Sequence, residues 1–124
     1  MKALVCGGRD YANSRALDEA LDAIHREQAI TRLIHGAARG ADSLAADWAR
    51  RRGIPALAFP ADWKHDGRVA GFVRNARMLR GGCPDLVVAF PGGKGTAHMV
   101  KLARDAGVPV LETGAAATCS GSPT

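Results

Sequence analysis

Leu86-Val87-Val88-Ala89-Phe90-Pro91-Gly92-Gly93-Lys94-Gly95-Thr96 is an apolar run that breaks into a glycine-rich turn, and a helical pattern from Ala97 to Ala106 follows it. The order is strand, turn, helix. Three glycines let backbone N–H groups approach a ligand without a Cβ in the way. The following helix adds its unpaired N-terminal N–H groups and the positive end of its dipole. Such a place receives an anion, most often a phosphate. The expected ligand is therefore a nucleotide or another phosphorylated small molecule; a tight turn that needs glycine for geometry alone is the competing explanation. The turn is not a Walker A loop, because Lys94 is followed by Gly95 and not by Ser or Thr, and it is not G-x-G-x-x-G either.

Working outward, the same alternation recurs. Ala3 to Cys6, Arg32 to His35, Ile54 to Phe59, Leu86 to Phe90 and Val108 to Leu111 are short apolar runs with strand character. Between them, Asn13 or Ser14 can cap a helix with Leu17, Leu21 and Ile24 on its apolar face. Asp42 or Ser43 can start a second helix that pairs Leu44 with Trp48 and ends at Gly53. Pro60 to Gly67 reads as a polar loop, and a basic helix runs from about Arg68 to Arg80, stopped by Gly81-Gly82. Strands alternating with helices imply a mainly parallel five-stranded sheet with helices on both faces, an α/β, Rossmann-like three-layer αβα sandwich. Ligands bind such sheets outside the C-terminal ends of the strands, at the switch point. Three glycine-containing turns fall on that edge, Gly7 to Tyr11, Gly36 to Asp42 and Pro91 to Thr96, and two of them carry an arginine, Arg9 and Arg39. Their convergence is a stronger signal than any one of them.

The chain of 124 residues fits one domain. Residues 1–112 hold all the periodic pattern; residues 113–124 are small, polar and glycine-containing and are expected to form a flexible tail. The 5% aromatic content argues against a base-stacking surface for single-stranded nucleic acid. Cys6, Cys83 and Cys119 are isolated, which fits free thiols in a reducing compartment. The histidines show no metal-ligand spacing, so no metal is expected and no cofactor is certain. The short apolar N-terminus runs into glycines and resembles no signal peptide, and no run is long enough to cross a bilayer, so a cytoplasmic location is expected. The net charge of +5 is concentrated between Lys64 and Arg80, where five basic residues face Asp66 alone. That segment attracts anions, but an excess of this size does not make a nucleic-acid surface.

Gly7-Gly8-Arg9-Asp10-Tyr11, His35-Gly36-Ala37-Ala38-Arg39-Gly40-Ala41-Asp42, Arg74-Asn75-x-x-Met78 and Phe90-Pro91-Gly92-Gly93-Lys94-Gly95-Thr96 occur in that order. The set resembles the YspA-type branch of the SLOG superfamily, which unites the Smf/DprA DNA-processing proteins and the LOG phosphoribohydrolases. The resemblance covers about Lys2 to Leu111. It implies a Rossmann-like fold, a nucleotide-derived ligand and a possible homodimer. LOG enzymes cleave the N-glycosidic bond of a nucleoside 5′-monophosphate, with an arginine before a P-G-G-x-G-T-x-x-E turn. Arg74 matches the arginine, while Met99 stands where that pattern has glutamate and Asn75 where lysine is common. A carboxylate stabilises the developing positive charge and positions water, and a thioether does neither.

Three functions stay open. The first is a nucleotide sensor or carrier without hydrolysis. The second is an N-glycosidic hydrolase with a relocated carboxylate, for which Arg74, Asp42 and Asp10 are the catalytic candidates. The third is a DNA-associated accessory role, against which the short chain and few aromatics count. Expected ligand-binding residues are Gly8 and Arg9 in the first turn, Gly36, Arg39, Gly40 and Asp42 in the second, Arg74 and Asn75 on the basic helix, and Gly92, Gly93, Lys94, Gly95 and Thr96 in the third turn. Arg74 suits an oxyanion through its planar fork, and Asn75 suits a sugar hydroxyl or base edge. Met78 and Trp48 are expected in the core; Trp63 can cover the ligand, cap the core or meet a second subunit.

Overall fold

A computed structural model describes residues 1–113; the expected tail lies, apart from its first residue, outside them. The elements in chain order are β1 (Lys2–Cys6), α1 (Ser14–Glu27), β2 (Arg32–His35), α2 (Ala41–Arg51), β3 (Ala56–Ala58), α3 (Trp63–Asp66), a 3-10 turn (Gly67–Val69), α4 (Ala70–Gly82), β4 (Leu86–Ala89), α5 (Lys94–Asp105) and β5 (Val110–Glu112). The five strands form one sheet in the order β3-β2-β1-β4-β5, and every pairing is parallel. The chain winds outward from β1 through β2 to β3, then crosses back to β4 on the other side of β1. The switch point therefore lies between β1 and β4, and the fold is the expected Rossmann-like sandwich.

Strand alternation divides the core in two. Ala3 and Val5 of β1 face one way, with Leu33 and Val88, and pack on Leu17 and Leu21 of α1 and on Ala45, Trp48 and Ala49 of α2. Leu4 and Cys6 face the other way, with Ile34, Val87 and Ala89, and pack on Met78 of α4 and on Met99, Val100 and Ala103 of α5. Trp48 is fully buried and its indole N–H donates to Asp22 Oδ1 at 2.9 Å, so the polar end of this large side chain is satisfied where α2 meets α1. Arg52 donates to both carboxylate oxygens of Asp22, at 3.0 and 2.8 Å.

Several boundaries differ from expectation. β3 is only three residues long; Ile54 is buried ahead of it, and Pro55 uses its carbonyl to accept from Leu33. The stretch read as a polar loop holds α3, capped by Asp62, whose side chain accepts from the His65 N–H at 3.1 Å. α4 begins at Ala70 and runs through Gly81-Gly82, ending on Cys83 in the left-handed region at φ 47°. The two glycines are packing residues and not a stop signal: a Cβ on Gly82 would stand 3.0 Å from Ile34, and one on Gly81 would stand 3.3 Å from Phe59. Asn13 caps α1 by accepting from Ala16, as expected. α2 is capped by neither Asp42 nor Ser43: Gly40 is the capping residue, and both polar side chains turn back onto the preceding loop. α5 begins at Lys94, inside the glycine turn, three residues earlier than the apolar period suggests.

Candidate functional site

Gly8 joins the three turns at the C-terminal edge of the sheet. Its N–H donates to the Pro91 carbonyl at 2.8 Å, and its carbonyl accepts from Tyr11 at 3.2 Å and from Ala41 at 3.1 Å. The turns approach so closely that Gly7, Gly40 and Gly92 have no room for a side chain; a Cβ on Gly7 would stand 2.6 Å from that of Ala41. A Cβ on Gly40, which has φ 79°, would run into the Gly8 carbonyl and Arg9. One on Gly92 would run into Thr96 Oγ1 and stand 2.6 Å from the Gly8 nitrogen.

A cavity of about 370 Å³ opens beside this junction, at the switch point. Gly8 and Arg9 supply one wall and Asp42 another; Arg68, Arg74 and Asn75 come from the 3-10 turn and α4; Gly93, Gly95 and Thr96 come from the start of α5; Cys6 and Met78 also line it. No side chain caps α5, so its first-turn N–H groups have neither an intrahelical acceptor nor a capping oxygen. Gly93 and Gly95 have open space where a Cβ would stand. The first-turn amides thus have no acceptor among the described residues, and Gly93, Gly95 and Thr96 line the cavity.

Arg74 is half-buried and held on two sides: Nη1 donates to the Gly36 carbonyl at 2.6 Å and Nε to Asn75 Oδ1 at 3.0 Å. Nη2 has no protein acceptor among the described residues and lies near Gly71. The guanidinium is thus aimed before any ligand arrives. Burial pushes its pKa down, and the Asp42 charge opposes that; an arginine stays charged regardless. Asn75 is buried, and its amide donates to the Gly95 carbonyl at 3.1 Å and lies 3.1 Å from His98 Nδ1. These bonds orient Arg74 and tie α4 to the first turn of α5.

Asp42 is 6% exposed, and its Oδ2 accepts from the N–H groups of Gly36 at 3.0 Å and Ala38 at 3.3 Å. Burial raises its pKa above the ordinary carboxylate value, against the lowering effect of the Ala38 hydrogen bond, Arg74, the Gly36 hydrogen bond and Arg9. Oδ1 carries no hydrogen bond from the described residues. The Cys6 thiol is pushed up to about 12, first by burial and then by Asp42 and Glu112; it stays protonated and is no nucleophile.

Other expected residues lie apart from the cavity. Gly36 and Arg39 line a shallower adjoining hollow. Asp10 is fully exposed, pairs with Arg39 at 3.8 Å and is absent from the cavity wall. Lys94 is exposed and also absent from the wall. Met99 is fully buried against the sheet, so the position where the LOG pattern has glutamate faces apolar core. Arg68, Trp63 and Phe72 line the cavity, and sequence reasoning assigned Arg68 and Phe72 no part in it. The positive charge between Lys64 and Arg80 was the available signal. A second depression of about 630 Å³ lies across the glycine turn, but its cations are already paired, Lys101 with Asp105 at 3.0 Å and Arg104 with Glu112 at 2.8 Å. It offers an anion much less than the first cavity does. Among the described residues no helix is long and apolar enough to cross a membrane.

The YspA, cpYpsA-related SLOG family (YAcAr) matches residues 1–65, which hold the first two glycine turns and β1 to β3. The gene 61 protein of Mycobacterium phage D29 is 38% identical over 122 residues, covering 91% of this chain and 96% of that protein. With the all-parallel sheet and the clustered turns, these matches place the chain in the YspA, cpYpsA-related SLOG family.

Proposed function

We propose that this domain binds a nucleotide or nucleotide-derived ligand by its phosphate, as a sensor or carrier. One observation carries the reading: a single cavity at the switch point holds the uncapped start of α5 and a pre-aimed Arg74 whose Nη2 has no acceptor among the described residues. Bare helix N-terminal amides and an oriented guanidinium are what a phosphate dianion requires. The cavity volume falls within the usual range for small-molecule sites. Met99 in the apolar core supports binding without LOG-type hydrolysis.

Asp42 favours a second reading, an N-glycosidic hydrolase with a relocated carboxylate. It is a buried acid with a raised pKa on the cavity wall, as general acid–base residues often are. Asp10 has neither property. A DNA-associated role draws less support, because Arg74 is half-buried and held by Gly36 and Asn75 inside the cavity, and the chain is poor in aromatic residues.

The test is incubation of the protein with nucleoside monophosphates and dinucleotides, following thermal shift and free base together. A shift without base release is the expected result. Base release that vanishes in Asp42→Asn would establish the hydrolase instead. No shift with any phosphorylated ligand would remove both readings.

A further inference from the structure

Trp63 and Phe72 are 50% and 43% exposed, and both line the switch-point cavity. By contrast, Trp48 and Phe90 are buried, so the chain leaves these two large rings uncovered at one place. Trp63 begins α3, a single turn pinned by the Asp62 cap. Its indole edge lies 3.8 Å from where a Gly71 Cβ would stand, and the Arg9 guanidinium sits over the ring at 5.1 Å. Phe72 is held against the His98 ring at a centroid distance of 4.4 Å. Both rings are thus oriented by neighbours while keeping exposed surface on the cavity that holds Arg74 and the start of α5.

We infer that Trp63, with Phe72 lining the same cavity, is the platform for the planar ring of the ligand, which makes this a site for nucleoside 5′-phosphates over bare sugar phosphates. The inference rests on the phosphate reading above and adds the second half of the ligand. An indole face accepts any base by stacking, which gives affinity without fine base selectivity. Arg9 links the two halves: it is stacked on Trp63 in the free protein, and its charge acts on both Asp42 and Arg74. Val69 and Val73 are also exposed nearby, but neither lines the cavity. A contact between copies of the chain would account for those valines but not for the aromatic pair bordering the arginines.

The experiment is calorimetric titration of adenosine 5′-monophosphate and of ribose 5-phosphate into the wild-type protein, Trp63→Ala, Trp63→Phe and Gly93→Asp, with tryptophan emission recorded alongside. Trp48 is fully buried and gives a constant background. The nucleotide should bind about tenfold or more tighter than the sugar phosphate and quench Trp63 emission. Trp63→Ala should bring the nucleotide down to the affinity of the sugar phosphate, leave the latter unchanged and abolish quenching, while Trp63→Phe keeps part of the gain. Equal wild-type affinities, or an undiminished nucleotide affinity in Trp63→Ala, would overturn the inference and leave the phosphate reading standing if Gly93→Asp still loses both ligands. Unchanged nucleotide affinity with altered self-association in Trp63→Ala would overturn it too, assigning the indole to a contact between copies. No binding of either ligand to the wild type would overturn the phosphate reading and this inference together.

Discussion

Gly92 and Gly93 are neighbours in one turn, yet they answer to different demands. Gly92 is wedged between Thr96 Oγ1 and the backbone of Gly8, so its missing side chain is what lets the turns after β1 and β4 touch. Gly93 has nothing within 4 Å of its Cβ position and lines the cavity. One glycine serves packing at the switch point, and the other keeps the helix start bare. The pairing teaches that a glycine-rich loop is not uniformly a ligand motif: close backbone approach and ligand access are separate reasons for the same residue.

The comparison can be broken by substitution. Gly92→Ala, like Gly40→Ala, should destabilise the domain by about 3 kcal/mol or more, because backbone must move to admit the methyl group. Urea unfolding measures this, and a wild-type midpoint for either variant would mean the turns do not meet as described. Gly93→Asp should leave the unfolding free energy within about 0.5 kcal/mol of wild type and remove detectable phosphate-ligand binding by placing a negative charge at the helix start. Loss of folding in Gly93→Asp would erase the distinction between the two glycines. Arg74→Ala should weaken nucleotide binding by about tenfold to a hundredfold, the effect of a hydrogen bond to a charged group. Lys94→Ala, outside the cavity wall, should change affinity by no more than about twofold. The reverse order in a titration would relocate the site.

Asp42 gives the smallest and most pH-specific effect. Folding raises its pKa, so the protonated form is favoured in the native state. Its contribution to stability is therefore fully present below the unfolded-state carboxylate pKa and is lost as pH rises through the folded-state value. Asp42→Asn, whose amide oxygen can still accept from Gly36 and Ala38, should unfold at a higher temperature than wild type at neutral pH, and the gap should close on acidification. A gap that widens on acidification would mean the carboxylate is stabilised as an anion in this site.

The parallel sheet with helices on both faces and the edge where the turns gather were legible because they follow from local periodicity and from the handedness of parallel crossovers; the strand order was not. Trp48, Met78 and the Asn13 cap were readable for the same reason. What was not legible depends on tertiary approach. Gly81-Gly82 looked like a helix stop, since nothing in the local sequence tells that Ile34 and Phe59 press on them. Asn75 lines the cavity, but the contacts it makes with Arg74, Gly95 and His98 were not legible, because only the packing of α4 on α5 brings those groups together. Arg68 looked like one charge among many on a solvated face, because the 3-10 turn before α4 that places it at the cavity has no distinct sequence signal.

The amides at the start of α5 are the proposed receptor for the phosphate. Amide resonances of isotopically labelled protein, followed by NMR during titration with adenosine 5′-monophosphate, test that assignment most directly. Gly93, Lys94, Gly95 and Thr96 should show the largest shifts, accompanied by the Arg74 side chain, with β5 and the Lys101–Arg104 side of α5 unmoved. Shifts confined to that opposite side, or none at the glycine turn at saturating nucleotide, would contradict it.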